Sequence, residues 1–107
     1  MIARRKSRYL LVESSRQLNL ESKEEQRSLA EGIAKVIGES GYMNASPKVM
    51  RQVGPKVFII RAIRGEEPSV ILALSFIKQM NNAEIGFYTI RNSGSISKLE
   101  EVAGRLY

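Results

Sequence analysis

The stretch that most constrains the fold is Glu84–Leu99, Glu-Ile-Gly-Phe-Tyr-Thr-Ile-Arg-Asn-Ser-Gly-Ser-Ile-Ser-Lys-Leu. Its apolar, β-prone run from Ile85 to Ile90 feeds Arg91 into the small polar turn Asn92-Ser93-Gly94-Ser95. A helix is predicted directly afterwards, with Ser97 and Glu100 at the spacing of a capping box. Free backbone N–H groups at a helix start favour an anion. Arg91 and Lys98 flank that point, so these few residues could hold a phosphate. The plainer alternative is a capped strand-to-helix turn with two solvated cations.

The rest of the chain supplies the partners of that strand and helix. Arg8 to Ser14 reads as a strand, apolar on both faces at Leu10, Leu11 and Val12, which suits a central position. After a polar linker, a capping box at Ser22 and Glu25 starts a helix with Leu29, Ile33, Val36 and Ile37 on one face. Gly41 stands where a left-handed cap would end it, and Gly32 inside it marks close backbone packing. Lys48 to Val53 is a modest strand, and Gly54-Pro55 turns it into Lys56 to Arg64, the most strand-like run of all. On that run Arg61 shares a face with Ile59 and Ile63, while Arg64 points the other way. A central arginine is costly unless its head reaches water or an anion. The alternative is that Arg61 stands on the open face of a sheet covered on one side only.

A second helix is predicted over Pro68 to Met80, with an apolar arc (Val70, Leu72, Ala73, Leu74, Phe76, Ile77) wider than one core-facing stripe. It is either deeply packed or docks another protein along its margin. Asn81-Asn82 turns the chain into the last strand, and Ser97 to Tyr107 spaces Leu99, Val102, Ala103 and Leu106 as an amphipathic helix that must lie on something apolar. Strand, helix, strand, strand, helix, strand and a terminal helix define an α+β chain. The expected architecture is a ferredoxin-like, RRM-like βαββαβ sandwich, a four-stranded antiparallel sheet with an extra C-terminal helix. Residues 1–7 are expected to form a basic tail and residues 8–107 a single domain; 107 residues can bury about two-thirds of their unfolded surface.

Composition removes most chemistry. There is no Cys, no His and no Asp, and all 11 acidic residues are Glu. Disulfides, thiolate and imidazole metal sites and Ser-His-Asp triads are therefore absent. Glu pairs such as Glu66-Glu67 or Glu100-Glu101 are far more simply read as solvated surface than as a Mg²⁺ site. No secretory pattern is visible, and the longest apolar run, Val70 to Ile77, is too short to span a bilayer; a soluble, cytoplasmic protein with no membrane partner is expected.

The formal charge of +6 is unevenly spread. Residues 1–8 carry Arg4, Arg5, Lys6 and Arg8 with no acid, and residues 42–64 carry Lys48, Arg51, Lys56, Arg61 and Arg64 with no acid. The first helix is slightly acidic. Such sidedness points to a polyanion, most simply nucleic acid, although basic charge also serves solubility alone. An RNA-recognition motif would stack bases on third-strand aromatics, yet Lys56–Arg64 has only Phe58. Structured RNA held through its phosphates fits the residues better.

Four segments carry a resemblance to a known family: Arg8-Tyr9-Leu10, Ile59-Ile60-Arg61-Ala62-Ile63-Arg64, the helix Val70 to Met80, and Ile90-Arg91-Asn92-Ser93-Gly94-Ser95-Ile96-Ser97-Lys98-Leu99. The chain resembles the ribonuclease P protein component 2 family, small archaeal and eukaryotic subunits of ribonuclease P and of the related RNase MRP. The match is good over roughly 56–99, fair over 8–13 and weak over 15–53. Family members often have Cys near Ala62 and more cations after the Ser-Gly turn, where this chain has Glu100-Glu101. The two glutamates argue against RNA contact by the exposed side of the last helix, but not by its start. The resemblance implies a ribonucleoprotein that removes the 5′ leader from precursor tRNA, its RNA carrying the Mg²⁺-dependent chemistry. The protein itself would bind no cofactor and assist by binding. The implied partners are the ribonuclease P RNA, precursor tRNA and the TIM-barrel-like protein component 3, within a larger heteromer.

The expected roles are as follows from charge, spacing and that resemblance together. Arg4, Arg5, Lys6 and Arg8 neutralise phosphates non-specifically, and Arg61, Arg64 and Arg91 make oriented phosphate contacts. Ser93, Gly94, Ser95 and Lys98 shape an anion site at the helix start, and Leu72, Phe76 and Leu106 dock the protein partner. Two rivals stay open. An acylphosphatase-like hydrolase would want a Gly-rich loop after the first strand, where this chain has Ser14-Ser15-Arg16-Gln17-Leu18-Asn19. A small-molecule or protein-interaction domain of the same fold would show no RNA affinity.

Overall fold

Leu10, Leu11 and Val12 are all fully buried although successive strand residues point to opposite faces, so the first strand must be covered on both sides. The computed structural model, which describes residues 6–106, shows how. The chain runs β1 (Ser7–Ser14), α1 (Lys23–Ala45), β2 (Lys48–Gly54), β3 (Val57–Ile63), α2 (Glu67–Phe76), β4 (Gln79–Met80), β5 (Ala83–Glu84), β6 (Phe87–Ser93) and α3 (Ile96–Leu106). The main sheet has the order β2-β3-β1-β6 with antiparallel neighbours, the interleaving of two split βαβ units that makes a ferredoxin-like domain.

Two apolar cores result. On one face Leu10, Val12, Phe58, Ile60 and Ala62 pack with Leu29 and Ile33 of α1 and Val70, Ala73 and Leu74 of α2. On the other, Leu11, Val57 and Ile59 pack with Leu99, Val102 and Ala103 of α3. The terminal helix thus roofs part of the face that a simple ferredoxin-like sandwich leaves open. Phe58 meets Phe87 edge-to-face with ring centroids 6.0 Å apart, and at 1% exposure it cannot stack on a base.

Several local expectations are corrected. Ser22 holds the N-cap position of α1 but its side chain makes no cap bond, and the Glu25 carboxylate accepts the Asn19 N–H while the Ser22 N–H goes to Asn19 O at 3.2 Å, so no capping box forms. Gly41 does not end the helix. Gly38, at φ 77°, kinks it, and the chain continues to Ala45, after which Ser46 takes the left-handed conformation and donates its N–H to Tyr42 O at 2.8 Å. Gly32 does mark a close approach: a Cβ there would stand 3.1 Å from Ile77 Cδ1. The second helix stops at Phe76 rather than Met80, and β4 and β5 form a hairpin that the periodicity hides. Its turn residues Asn81 and Asn82 both have positive φ, 54° and 63°, the conformation a two-residue type I′ hairpin requires and asparagine tolerates. Arg16 clamps this hairpin, its Nη2 donating to Met80 O at 2.7 Å and its Nε to Glu84 O at 3.2 Å.

The linker between β1 and α1 is fastened by one side chain. Gln52 of β2 donates to Leu18 O at 2.5 Å and Gly54 O at 2.9 Å, and its Oε1 accepts the Leu20 N–H at 2.8 Å. Removing it strands part-buried backbone groups, each costing about 1–3 kcal/mol less whatever water recovers. Gln52→Ala is therefore expected to lower stability by about 2 kcal/mol in urea unfolding. A change below about 0.5 kcal/mol would show that water replaces these bonds without loss.

Candidate nucleic-acid interface

Strand register brings the cations together. Lys48 of β2 lies opposite Arg61 of β3, Arg61 opposite Tyr9 of β1, and Tyr9 opposite Ser93 of β6. Paired residues share a face, so this row crosses the sheet on the side of α3. The next row is Arg51, Ile59, Leu11 and Arg91. The ends of both edge strands therefore carry cations on the α3 face. Ser7, Lys48, Ile63 and Ser93 also mark a single end of the sheet, which adds Lys6 and Arg64: the Arg64 N–H donates to Lys6 O at 2.8 Å, and the two residues line a hollow with Asn44 and Glu66.

Arg61 stands partly exposed in the first row, with its Nε buried and without a hydrogen-bond partner among the described residues. Arg51 is held on this face by a glutamate, through Glu100 Oε2 of α3 at 2.5 Å. That pair is partly exposed and worth at most about 1 kcal/mol, but it ties the helix to the far edge strand. It also explains Glu100, which neutralises a neighbour and is not part of a capping box.

The strand-to-helix turn is built differently from its sequence pattern. The helix starts at Ile96, and Ser95, not Ser97, caps it, with Ser95 Oγ 3.4 Å from the Lys98 N–H and 2.9 Å from Ser97 Oγ. Ser93 Oγ accepts the Ser95 N–H at 3.1 Å. Arg8 reaches this turn from β1, its Nε donating to Asn92 Oδ1 at 3.1 Å, and Gly94 leaves room for it: a Cβ there would be 3.3 Å from Arg8 Nη1. Beside the turn, Arg91 of β6 and Lys98 of α3 face one groove together with Arg105.

The structure thus gathers Lys6, Arg8, Arg61, Arg64, Arg91, Ser93, Gly94, Ser95 and Lys98 around one end of the sheet and its β6 edge. Arg4 and Arg5 lie outside the described residues. Lys48 and Arg51, part of the acid-free run but given no role of their own, join the two rows only through register, and Arg105 was missed although its spacing of seven from Lys98 was the available signal. The apolar trio does not form one surface. Leu72 and Phe76 are exposed side by side on α2 (51% and 60%), whereas Leu106 (58%) is on α3, across the sheet. The loop after β1 is occupied structurally: Ser14 Oγ donates to Arg16 O at 2.6 Å, Ser15 Oγ accepts the Gly86 N–H at 2.8 Å, and Arg16 holds the hairpin. That use argues against a phosphate-binding loop of the acylphosphatase kind. Among the described residues no group of three potential metal-ligating side chains occurs, and no helix is long and apolar enough to cross a membrane.

Fold and site together define a ferredoxin-like α+β domain with a third helix on its second face and cations concentrated at one end. The family model described as the Rpp14/Pop5 family matches residues 8–104, and the chain belongs to that family. Ribonuclease P protein component 2 of Methanocorpusculum labreanum is 30% identical over 98 residues, covering 92% of this chain. The chain spans 66% of that relative's length. A chain in a cryo-EM structure of yeast ribonuclease MRP aligns with a TM-score of 0.59 over 99% of this chain and 92% of its own, at 9% identity, and so shares the fold.

Proposed function

We propose that this chain is a non-catalytic protein subunit of ribonuclease P that binds the enzyme's RNA and assists removal of the 5′ leader from precursor tRNA. The observation that carries the reading is the gathering of Lys6, Arg8, Lys48, Arg61, Arg64 and Arg91 at one sheet end and edge. The family and the component 2 relative support RNA as the polyanion. Arginine heads suit oriented, bidentate grips on phosphate, and the lysines add charge without geometry. Mg²⁺ belongs, on this reading, to the RNA. The exposed pair Leu72 and Phe76, with Val36 of α1 beside Phe76, is where a protein partner of the component 3 type would sit, in the cytoplasm.

Reconstitution tests the proposal. Precursor-tRNA cleavage by the catalytic RNA with its other proteins is expected to rise when this chain is added, and to rise much less with Lys48→Gln/Arg61→Gln/Arg64→Gln. Equal cleavage with and without the chain would remove it from the enzyme. The chain alone is expected to cleave nothing.

A further inference from the structure

The groove between β6 and α3 holds more than the helix start. It encloses about 260 Å³, with Arg91, Asn92 and Ser93 on its strand wall and Lys98, Glu101 and Arg105 on its helix wall. Leu99 and Val102 form an apolar floor. Lys98 and Arg105 are seven residues apart, so they lie on one side of the helix with a rise of about 10 Å between them. Arg91, Lys98 and Arg105 are exposed, and none shares in the Arg51–Glu100 pair. The helix dipole accounts for a cation at Arg105, near the C-terminus of α3, but not for Arg91 facing the same groove from a different element. No described lining residue is aromatic.

We propose that this groove is a sequence-independent track for an RNA backbone, in which Arg91, Lys98 and Arg105 hold successive phosphates. The proposal rests on the RNA-binding reading above and gives it a location separable from the Lys48–Arg61–Arg64 cluster. Three cations against one acid leave the groove positive, and the lack of a stacking surface removes the usual means of reading bases. Asn92 and Ser93 add hydrogen-bonding groups suited to sugar and phosphate oxygens. Glu101, between the two helical cations, repels any strand laid there and so limits how tightly it is held.

The test uses the full chain and two RNA hairpins of equal length and unrelated sequence, with affinity measured across a salt series. Arg91→Gln/Lys98→Gln/Arg105→Gln is expected to reduce the slope of log affinity against log salt by about 2–3, equally for both hairpins. Glu101→Gln is expected to tighten both complexes several-fold, a gain that misfolding cannot produce. A normal slope in the triple variant beside a steep wild-type slope overturns the groove and leaves the RNA-binding reading intact. A flat wild-type slope overturns that reading itself. Unequal effects on the two hairpins, no gain with Glu101→Gln, or displacement of RNA by a polyglutamate peptide of equal charge would each overturn a backbone track.

Discussion

Raising salt from 50 to 200 mM is expected to weaken binding of this chain to structured RNA on the order of 10³-fold, if about six phosphates are contacted. Six described cations support that figure: Lys6, Arg8, Lys48, Arg61, Arg64 and Arg91 lie around one sheet end and its edge. Each phosphate they neutralise releases counterions, and the entropy of that release shrinks as bulk salt rises. The coefficient per contact was established on duplex DNA and is somewhat smaller for single strands. Filter binding or fluorescence anisotropy over a salt series measures the slope directly. An affinity that barely changes would mean that the cations do not meet phosphates.

The second large effect concerns the helix that roofs the sheet. Leu99 is 0% exposed and packs in the cluster of Leu11, Val57 and Ile59. Leu99→Ala is expected to cost about 2–5 kcal/mol, the transfer free energy of the lost side chain plus the cavity it leaves. A short helix held by one apolar stripe has little else to keep it in place, since the Arg51–Glu100 pair is partly exposed. The loss is expected to appear as a lower denaturation midpoint and as faster hydrogen exchange across residues 96–106. Leu106→Ala, on the exposed side of the same helix, is expected to stay within about 0.5 kcal/mol of wild type. Equal effects at the two positions would show that α3 is not docked through Leu99.

What the sequence discloses is what depends on periodicity. The order of the four long strands and three helices follows from alternation and apolar stripes, as does the orientation of Arg61 toward one face and of its buried neighbours toward the other. What it conceals is decided by partners far along the chain. The Ser97–Glu100 spacing looks like a capping box, yet Glu100 is taken by Arg51 across the sheet and Ser95 caps the helix. Likewise Glu25 bonds the linker at Asn19 rather than the start of its own helix. Strands of two residues carry no detectable period, so the β4–β5 hairpin announces itself only through Asn81-Asn82. An amphipathic stripe says that α3 buries one side, but not against which face. The cationic row is legible only in part, because Lys48 and Arg61 become neighbours through register.

A single irregularity in β6, at Ile90, has a long reach. Leu11 pairs with Arg91, and the next residue, Val12, pairs with Thr89, which leaves Ile90 as one surplus residue in β6. Were Ile90 instead to pair with Leu11, parity would reverse for everything downstream: Arg91 would fall opposite Leu10 and swing beneath the α1–α2 layer, while Asn92 would take its place under α3. The aim of that guanidinium is thus set by the bulge at Ile90 and not by the identity of any side chain. Removing Ile90 itself would only close the bulge and leave Arg91 opposite Leu11, whereas a one-residue slip of register past Thr89 would redirect the cationic edge more completely than any replacement of the arginine itself.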